Sequence, residues 1–278
     1  MRILVTGAKG MIGSHLVKGL LCAGYEVIGI DRYSDNLCEG KYFQRRVDLS
    51  DKKMLQTIVE EYKPDRVIHL AALAHSVDGK DFTWDKYKHL NIDCAKNVFE
   101  IAGDIPVLFI STVDVYGFTK GTVTAKTKLH PVSFYAKSKK IAEEECKKLK
   151  HFNIYRFSPV YTDEIKRDIQ KRYYLKYPNI AYQIGKGTEY EILNVKNAVQ
   201  AMVDWCGQEV TNNVHIIKDP ARMNTIDYIR AEKRAGRAKI VLHFPKWMVV
   251  LGYRILMISG ENKYTYLLNK AVYPLRSE

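Results

Sequence analysis

Tyr135 and Lys139 stand four apart in SFYAKSK (133–139), so on a helix they share one face. A neighbouring ammonium lowers a phenol's pKa, and the tyrosinate so formed can take the proton of a hydroxyl. Without that help a tyrosine, with a pKa of about 10, is a poor base at neutral pH. Near the start of the chain a second pattern carries different chemistry. Gly7, Gly10 and Gly13 in GAKGMIG stand three apart, after the apolar run RILVT and before helical spacing. In a strand–turn–helix unit, Gly7 permits the tight turn, Gly10 lets the backbone approach a pyrophosphate, and Gly13 lets the helix pack close on the strand. Lys9, Met11 and Ile12 complete this loop, whose free N–H groups and helix N-terminus suit phosphates. The next apolar run, EVIGID, ends in Asp31, whose carboxylate can accept hydrogen bonds from an adenosine ribose and would repel a 2′-phosphate. NAD is therefore favoured over NADP, with Arg32 next door pulling the other way.

The elements that must position these residues follow from apolar periodicity. Strands are predicted at 2–6, 26–31, 46–50, 64–72, 106–112 and 153–160, and helices at 12–23, 51–62, 84–103 and 133–150. Strands alternate with helices, and most strands are apolar on both faces. That demands a parallel sheet covered on both sides, a Rossmann-type doubly wound α/β fold. After about residue 161 the rhythm breaks. The expected division is a dinucleotide-binding domain with the catalytic residues over 1–160, and a small C-terminal substrate lobe over 161–278, interleaved with the sheet. In that lobe KRDIQKRYYLKYP (166–178), read as a helix, puts 167 with 171 and 168 with 172 on shared faces. Arg forks suit a diphosphate, so Arg167 and Arg172 are candidate substrate contacts.

Composition sets the outer bounds. The 278 residues carry a formal net charge of +13, with 46% hydrophobic and 27% charged residues, as in ordinary globular proteins. Nucleic-acid binding could use the same basic and aromatic ingredients, but it leaves the Tyr135/Lys139 pair unexplained, so no nucleic-acid partner is expected. The five cysteines are scattered without a CxxC, and the eight histidines show no ligand spacing, so no metal is expected. MRILVTG has no signal-peptide character, and a reduced, cytoplasmic setting is the expectation. No uncharged apolar run reaches membrane-spanning length. KWMVVLGYRILMISG (246–260), interrupted by Arg254, reads as an amphipathic helix on the core, with a peripheral membrane contact as the alternative.

With Thr6 before the first glycine the opening motif is TGxxGxxG, and here the sequence resembles the extended short-chain dehydrogenase/reductase family, whose members often act on nucleotide sugars. The resemblance implies that Asp48 and Leu49 contact the adenine, that HLAALAH (69–75), with Leu70, Ala71 and Ala72, lines the cofactor, and that Tyr135 and Lys139 contact the cofactor as well. It makes His75 a candidate substrate residue beside that cofactor, with a structural role as the favoured reading, and gives Asn91 a structural role. Counting back four residues from Tyr116 of the VYG motif, it makes Thr112 the hydroxyl partner of Tyr135, with Ser111 as a substitute. Thr112, Tyr135 and Lys139 would then remove a sugar hydroxyl proton while the carbon gives up hydride. Related 4,6-dehydratases carry Thr-Asp-Glu where this chain has Thr112-Val113-Asp114, so dehydration is not expected, though Asp114 stays a candidate substrate residue. Ser158-Pro159 replaces a frequent Asn, Asn197 stands where Asp is usual, and the family's closing Leu-Gly-Trp segment is missing.

The resemblance implies a nucleotide-diphosphate sugar as substrate and a homodimer built through the Tyr135/Lys139 helix. A C4 epimerase is the first expectation. A 4-keto-sugar reductase of surface-polysaccharide biosynthesis is the second, since AALAH and FPKW resemble such enzymes. A non-catalytic NAD(H)-binding scaffold, or an enzyme acting on a lipid-linked sugar at a membrane surface, are the readings of other classes.

Overall fold

The computed structural model describes residues 1–278 apart from 34, 75–81 and 176–178, and among the described residues the chain divides into two units. The first comprises 1–112, 133–157 and 195–217; the second comprises 113–132, 158–194 and 218–278.

The first unit holds an eight-stranded sheet. Its elements in chain order are β1 (Arg2–Thr6), α1 (Met11–Cys22), β2 (Glu26–Asp31), β3 (Leu37–Glu39), β4 (Tyr42–Arg46), α2 (Lys52–Tyr62), β5 (Arg66–His69), α3 (Trp84–Lys88), α4 (Cys94–Ala102), β6 (Val107–Thr112), α5 (Phe134–Cys146), β7 (Phe152–Phe157), α6 (Val195–Gly207) and β8 (Val214–Ile217). The strand order is β8-β7-β6-β5-β1-β2-β4-β3, parallel throughout except for β3, which pairs antiparallel with β4. From β1 the chain winds outward through β2 and β4, then returns to β5 on the other side. The order thus reverses between β1 and β5, the place where doubly wound sheets bind ligands.

Both faces are covered, which is why the strands are apolar on both sides. On one face Leu4, Ile28, Val67 and Phe109 meet Leu55 and Ile58 of α2, Val98 and Phe99 of α4, and Ala142 of α5. On the other, α1 packs against α6 closely enough that a Cβ on Gly19 would lie 2.5 Å from a methyl of Val199.

Three expectations change. The third parallel strand is β4 at 42–46, not 46–50; residues 47–50 form the turn into α2, capped by Asp51 accepting from the Met54 N–H. The predicted helix over 84–103 is α3, a π-helical turn (His89–Asp93) and α4 in succession. The helix predicted to reach 150 ends at Cys146. The division also does not follow a cut after residue 160: residues 195–217 join the sheet unit because β8 pairs with β7 and α6 packs on α1, while 113–132 belong to the second unit.

The second unit contains short two-stranded pairs, including 180–184 parallel to 240–244, and the helices Thr225–Arg234, Lys246–Met257 and Lys263–Val272. Its core gathers Ile169, Tyr173, Ala181, Tyr190, Ile192, Met223 and Ile229. The expected basic helix over 166–178 is a single turn, Arg167–Gln170, followed by turns. Tyr173 is buried in the core beside it, its carbonyl accepts from the Tyr182 N–H at 2.7 Å, and Tyr174 bridges antiparallel to Ala181, so the backbone there pairs with the strand at 180–184 instead of continuing the helix.

Candidate active site

The glycine loop runs from the C-terminal end of β1. Gly7 has φ of +71°, a conformation that costs an L side chain strain, and its N–H donates to the Ile30 carbonyl at 2.8 Å. A Cβ on Gly7 would lie 2.9 Å from backbone atoms of Ala71, and one on Gly13 would lie 2.1 Å from the Gly7 carbonyl oxygen. Gly10 differs: its Cβ would meet only the Gly7 oxygen, at 3.2 Å. Gly10 is the N-cap of α1, and no side chain caps the helix. Its first-turn N–H groups, with Met11 and Ile12 in that turn, are thus presented to the kind of anion a pyrophosphate supplies.

Asp31 closes the cradle. Its carboxylate accepts from the Lys9 N–H at 3.2 Å and from the Tyr33 N–H at 3.1 Å, which fixes it at the end of β2 beside the loop. Arg32 turns its guanidinium over the Tyr33 ring, 4.6 Å from the centroid. The Asp48 carboxyl is held low by the Ser50 N–H and hydroxyl, with a smaller contribution from Arg32. The Leu49 carbonyl accepts from Asn97 at 2.9 Å. Leu70, Ala71 and Ala72 continue β5, and the Ala71 N–H donates to the Thr6 hydroxyl oxygen at 3.3 Å. A glycine loop without side chains, an uncapped helix end and a fixed carboxylate suit a dinucleotide with a free ribose 2′-hydroxyl.

The Tyr135/Lys139 pair sits on α5, started by the Ser133 hydroxyl accepting from the Ala136 N–H. Lys139 is 2% exposed, and its ammonium lies 4.0 Å from the centroid of Phe109 in β6. Burial pulls its pKa down to about 7, against the opposing pull of Glu143 and Cys146. The Tyr135 ring lies 6.4 Å from that of Tyr87. Thr112 is the last residue of β6 and half-buried. Ser111 cannot serve as its substitute, because its buried hydroxyl donates to Glu143 Oε1 at 2.5 Å. Glu143 in turn receives Arg156 of β7 in two bonds, Nε to Oε1 at 3.0 Å and a terminal nitrogen to Oε2 at 2.6 Å. Helix and sheet are thereby bolted together directly under Lys139.

Asn91 joins cradle to helix. Its side chain accepts from the Leu73 N–H at 2.7 Å, donates to the Leu73 carbonyl at 3.1 Å and donates to the Ser138 hydroxyl at 2.9 Å. Ser138 donates onward to the Tyr135 carbonyl at 2.8 Å. Asn91 occupies the π-helical turn, whose extra residue re-aims a side chain inside an otherwise regular helix. Its structural role was readable from the resemblance; the Glu143–Arg156 pair was missed. The signal was Arg156 in the middle of the apolar run NIYRF, since a charge buried in a central strand requires a partner.

In the second unit Asp114 and Arg172 share one cluster. Burial alone would push the Asp114 carboxyl up. Lys270, 2.7 Å from Oδ1, with Arg172 and the Tyr266 hydroxyl, outweighs this and holds it below the usual carboxylate range. Arg172 lies over the Tyr190 ring, 4.7 Å from its centroid. Arg172 thus reaches this cluster from a turn rather than from the expected helix. Arg167 lies in the short helix, its side chain outside the described residues, and His75 is likewise outside them.

The model of the NAD dependent epimerase/dehydratase family matches residues 3–205. The chain is 33% identical over 162 residues to a probable dTDP-glucose 4,6-dehydratase of Sinorhizobium fredii, covering 50% of this chain and 46% of the relative. It is 31% identical over 170 residues to the UDP-glucose 4-epimerase of Drosophila melanogaster, covering 53% and 48%. The chain thus spans about half the length of the curated relatives it matches. Among solved structures, the UDP-glucuronic acid 4-epimerase of Bacillus cereus in complex with NAD superposes with a TM-score of 0.70 at 23% identity, over 88% of each chain. The UDP-Glc/GlcNAc 4-epimerase of Campylobacter jejuni gives 0.73 at 19%, over 88% of this chain and 87% of the other. At these identities the structural likeness speaks to the fold.

Proposed function

The chain belongs to the NAD dependent epimerase/dehydratase family, and within it we propose that this member is a C4 epimerase of a nucleotide-linked sugar. The observation that carries the reading is the tie through Asn91, which joins the dinucleotide cradle to the helix bearing Tyr135 and Lys139 within one unit. The cradle residues fit NAD, whose chemistry when bound is to accept hydride from a carbinol carbon and to give it back. Tyr135 takes the proton of the C4 hydroxyl, and Thr112 hydrogen-bonds the same oxygen. Lys139, when charged, holds the phenol's pKa down, so the proton can move at neutral pH. The same tyrosine returns the proton once the sugar has turned its other face.

Elimination of water is disfavoured. A dehydratase needs an acid that can donate a proton beside the reacting hydroxyl, but Val113 has none to give, and Asp114 is kept ionised by Lys270. Substrate recognition falls in this reading to the second unit, with Arg172 as a diphosphate contact.

The test is to incubate the protein, with no cofactor added, with UDP-glucose and separately with UDP-glucuronic acid, and to follow the C4 proton by NMR. The reading predicts interconversion of C4 epimers for one of them. A 4-keto-6-deoxy product, or turnover only of a 4-keto sugar with added NADH, would replace it with a dehydratase or a reductase.

A further inference from the structure

The second unit turns an apolar face outward. In the helix Lys246–Met257 the residue buried against its neighbours is Tyr253, whose hydroxyl accepts from Asn269 at 3.2 Å and whose ring meets Tyr273 at 5.8 Å. The opposite face carries Trp247, Leu251 and Ile255, and the same stripe continues past the helix to Ile258. These side chains lie within one narrow stripe at i, i+4, i+8 and i+11, and Trp247 is 66% and Ile258 87% exposed. The strand just before it likewise turns apolar residues outward. Val241 packs on the core, while Ile240, Leu242 and Phe244 face out. An amphipathic helix of a globular protein turns its apolar stripe inward; this one is apolar on its inner face, where Val249, Val250 and Met257 are partly covered beside Tyr253, and apolar again on its outer face.

The charge of the segment that carries this face selects its occupant. Between Glu232 and Glu261 the chain carries six Lys and Arg and no acid: Lys233, Arg234, Arg237, Lys239, Lys246 and Arg254. Arg237 is paired with Glu232 at 2.9 Å, and the others are exposed. Arg254 stands on the apolar stripe itself, between Leu251 and Ile258, where its stem can lie along apolar surface while its head reaches an anion. A second copy of this face would bring the same cations against one another. At about 1.5 Å per residue the helix is roughly 18 Å long, too short for a hydrocarbon core of about 30 Å.

We propose that this face docks the protein on an anionic lipid bilayer, with the helix lying in the headgroup region, Trp247 and its apolar neighbours inserted, and the basic residues on lipid phosphates. The proposal stands apart from the reaction assigned above: it needs no catalytic residue, and loss of activity would not touch it.

Co-sedimentation with vesicles tests it. Full-length protein is mixed with phosphatidylglycerol/phosphatidylcholine vesicles and with phosphatidylcholine alone, at low and physiological salt. The proposal expects binding to the anionic vesicles, weaker at higher salt. It expects Leu251→Glu with Ile255→Glu to lower binding at least tenfold, and Lys246→Ala with Arg254→Ala to lower it about fivefold per cation removed. Both pairs change exposed residues, and an unchanged unfolding midpoint verifies that each variant is folded. No binding to anionic vesicles overturns the proposal. So does binding indifferent to the Leu251/Ile255 change, which would mean charge alone, or a lipid-free dimer that the same change dissociates, which would assign the face to a second copy.

Discussion

At the scale of single residues, burial in the first unit disfavours the charged forms of His69 and Lys139. His69 is 1% exposed, its Nδ1 is 2.7 Å from the Thr6 hydroxyl, and burial, with the nearby Lys139, pulls its pKa down to about 3. Unfolded, it titrates at about 6.5. Between those values the unfolded chain holds more protons, so stability rises with pH there and is lost as pH falls from about 6.5 towards 3. Chemical unfolding followed across that window should show the loss, and His69→Gln should flatten its slope. Lys139 obeys the same sign at higher pH. Its pKa near 7 folded, against about 10.5 unfolded, makes stability rise as pH climbs between the two. Lys139→Met removes a buried cation while keeping its stem, so it should raise stability at pH 7 by about 1–2 kcal/mol while abolishing turnover. Tyr135→Phe should lower turnover roughly 10²- to 10⁴-fold with the unfolding midpoint unchanged. Tyr135, Lys139 and Asp31 could be proposed from the sequence because their chemistry depends on short spacings. The network of Glu143, Arg156 and Ser111 could not, because it joins a helix to two strands far apart in sequence, and no local pattern announces which acid a buried arginine will find.

Among the elements, the strand–turn–helix opening separates glycines that the fold needs from one that a ligand would need. Gly13→Ala would push a Cβ to 2.1 Å from the Gly7 carbonyl, so α1 must shift; thermal unfolding should show a loss of about 1–3 kcal/mol together with loss of NAD binding. Gly10→Ala meets only one atom at 3.2 Å, so it should fold nearly as well and still bind NAD less tightly by calorimetry. Equal losses of stability in the two variants would contradict that division of roles. The alternation of strands and helices was readable because both periods are local. The strand over 42–46 escaped because YFQRR buries Gln44 and is only alternately apolar. The segment over 166–178 misled because helical charge spacing is common in turns as well. There Arg172 is placed by the ring of Tyr190, some twenty residues on, rather than by a helix.

For the whole molecule, a parallel, doubly wound sheet covered on both faces was legible in the sequence; its strand order came only with the structure. The partition into units was not legible either. Residues 113–132 follow directly on Thr112 yet belong with the second unit, and residues 195–217 return to the sheet through the β7–β8 pairing; both assignments rest on long-range contacts. Among the described residues no helix is long and apolar enough to cross a membrane. A C4 epimerase that recycles its own oxidant makes a demand on the protein as purified. An epimerase ends each turnover with NAD restored and has no need to release it, whereas a reductase must exchange it. The most direct measurement is therefore to denature the purified protein, separate the released nucleotides and quantify them by absorbance and mass. An epimerase should release close to one NAD per chain. A chain that releases none, yet turns over a 4-keto sugar when NADH is supplied, would contradict that reading.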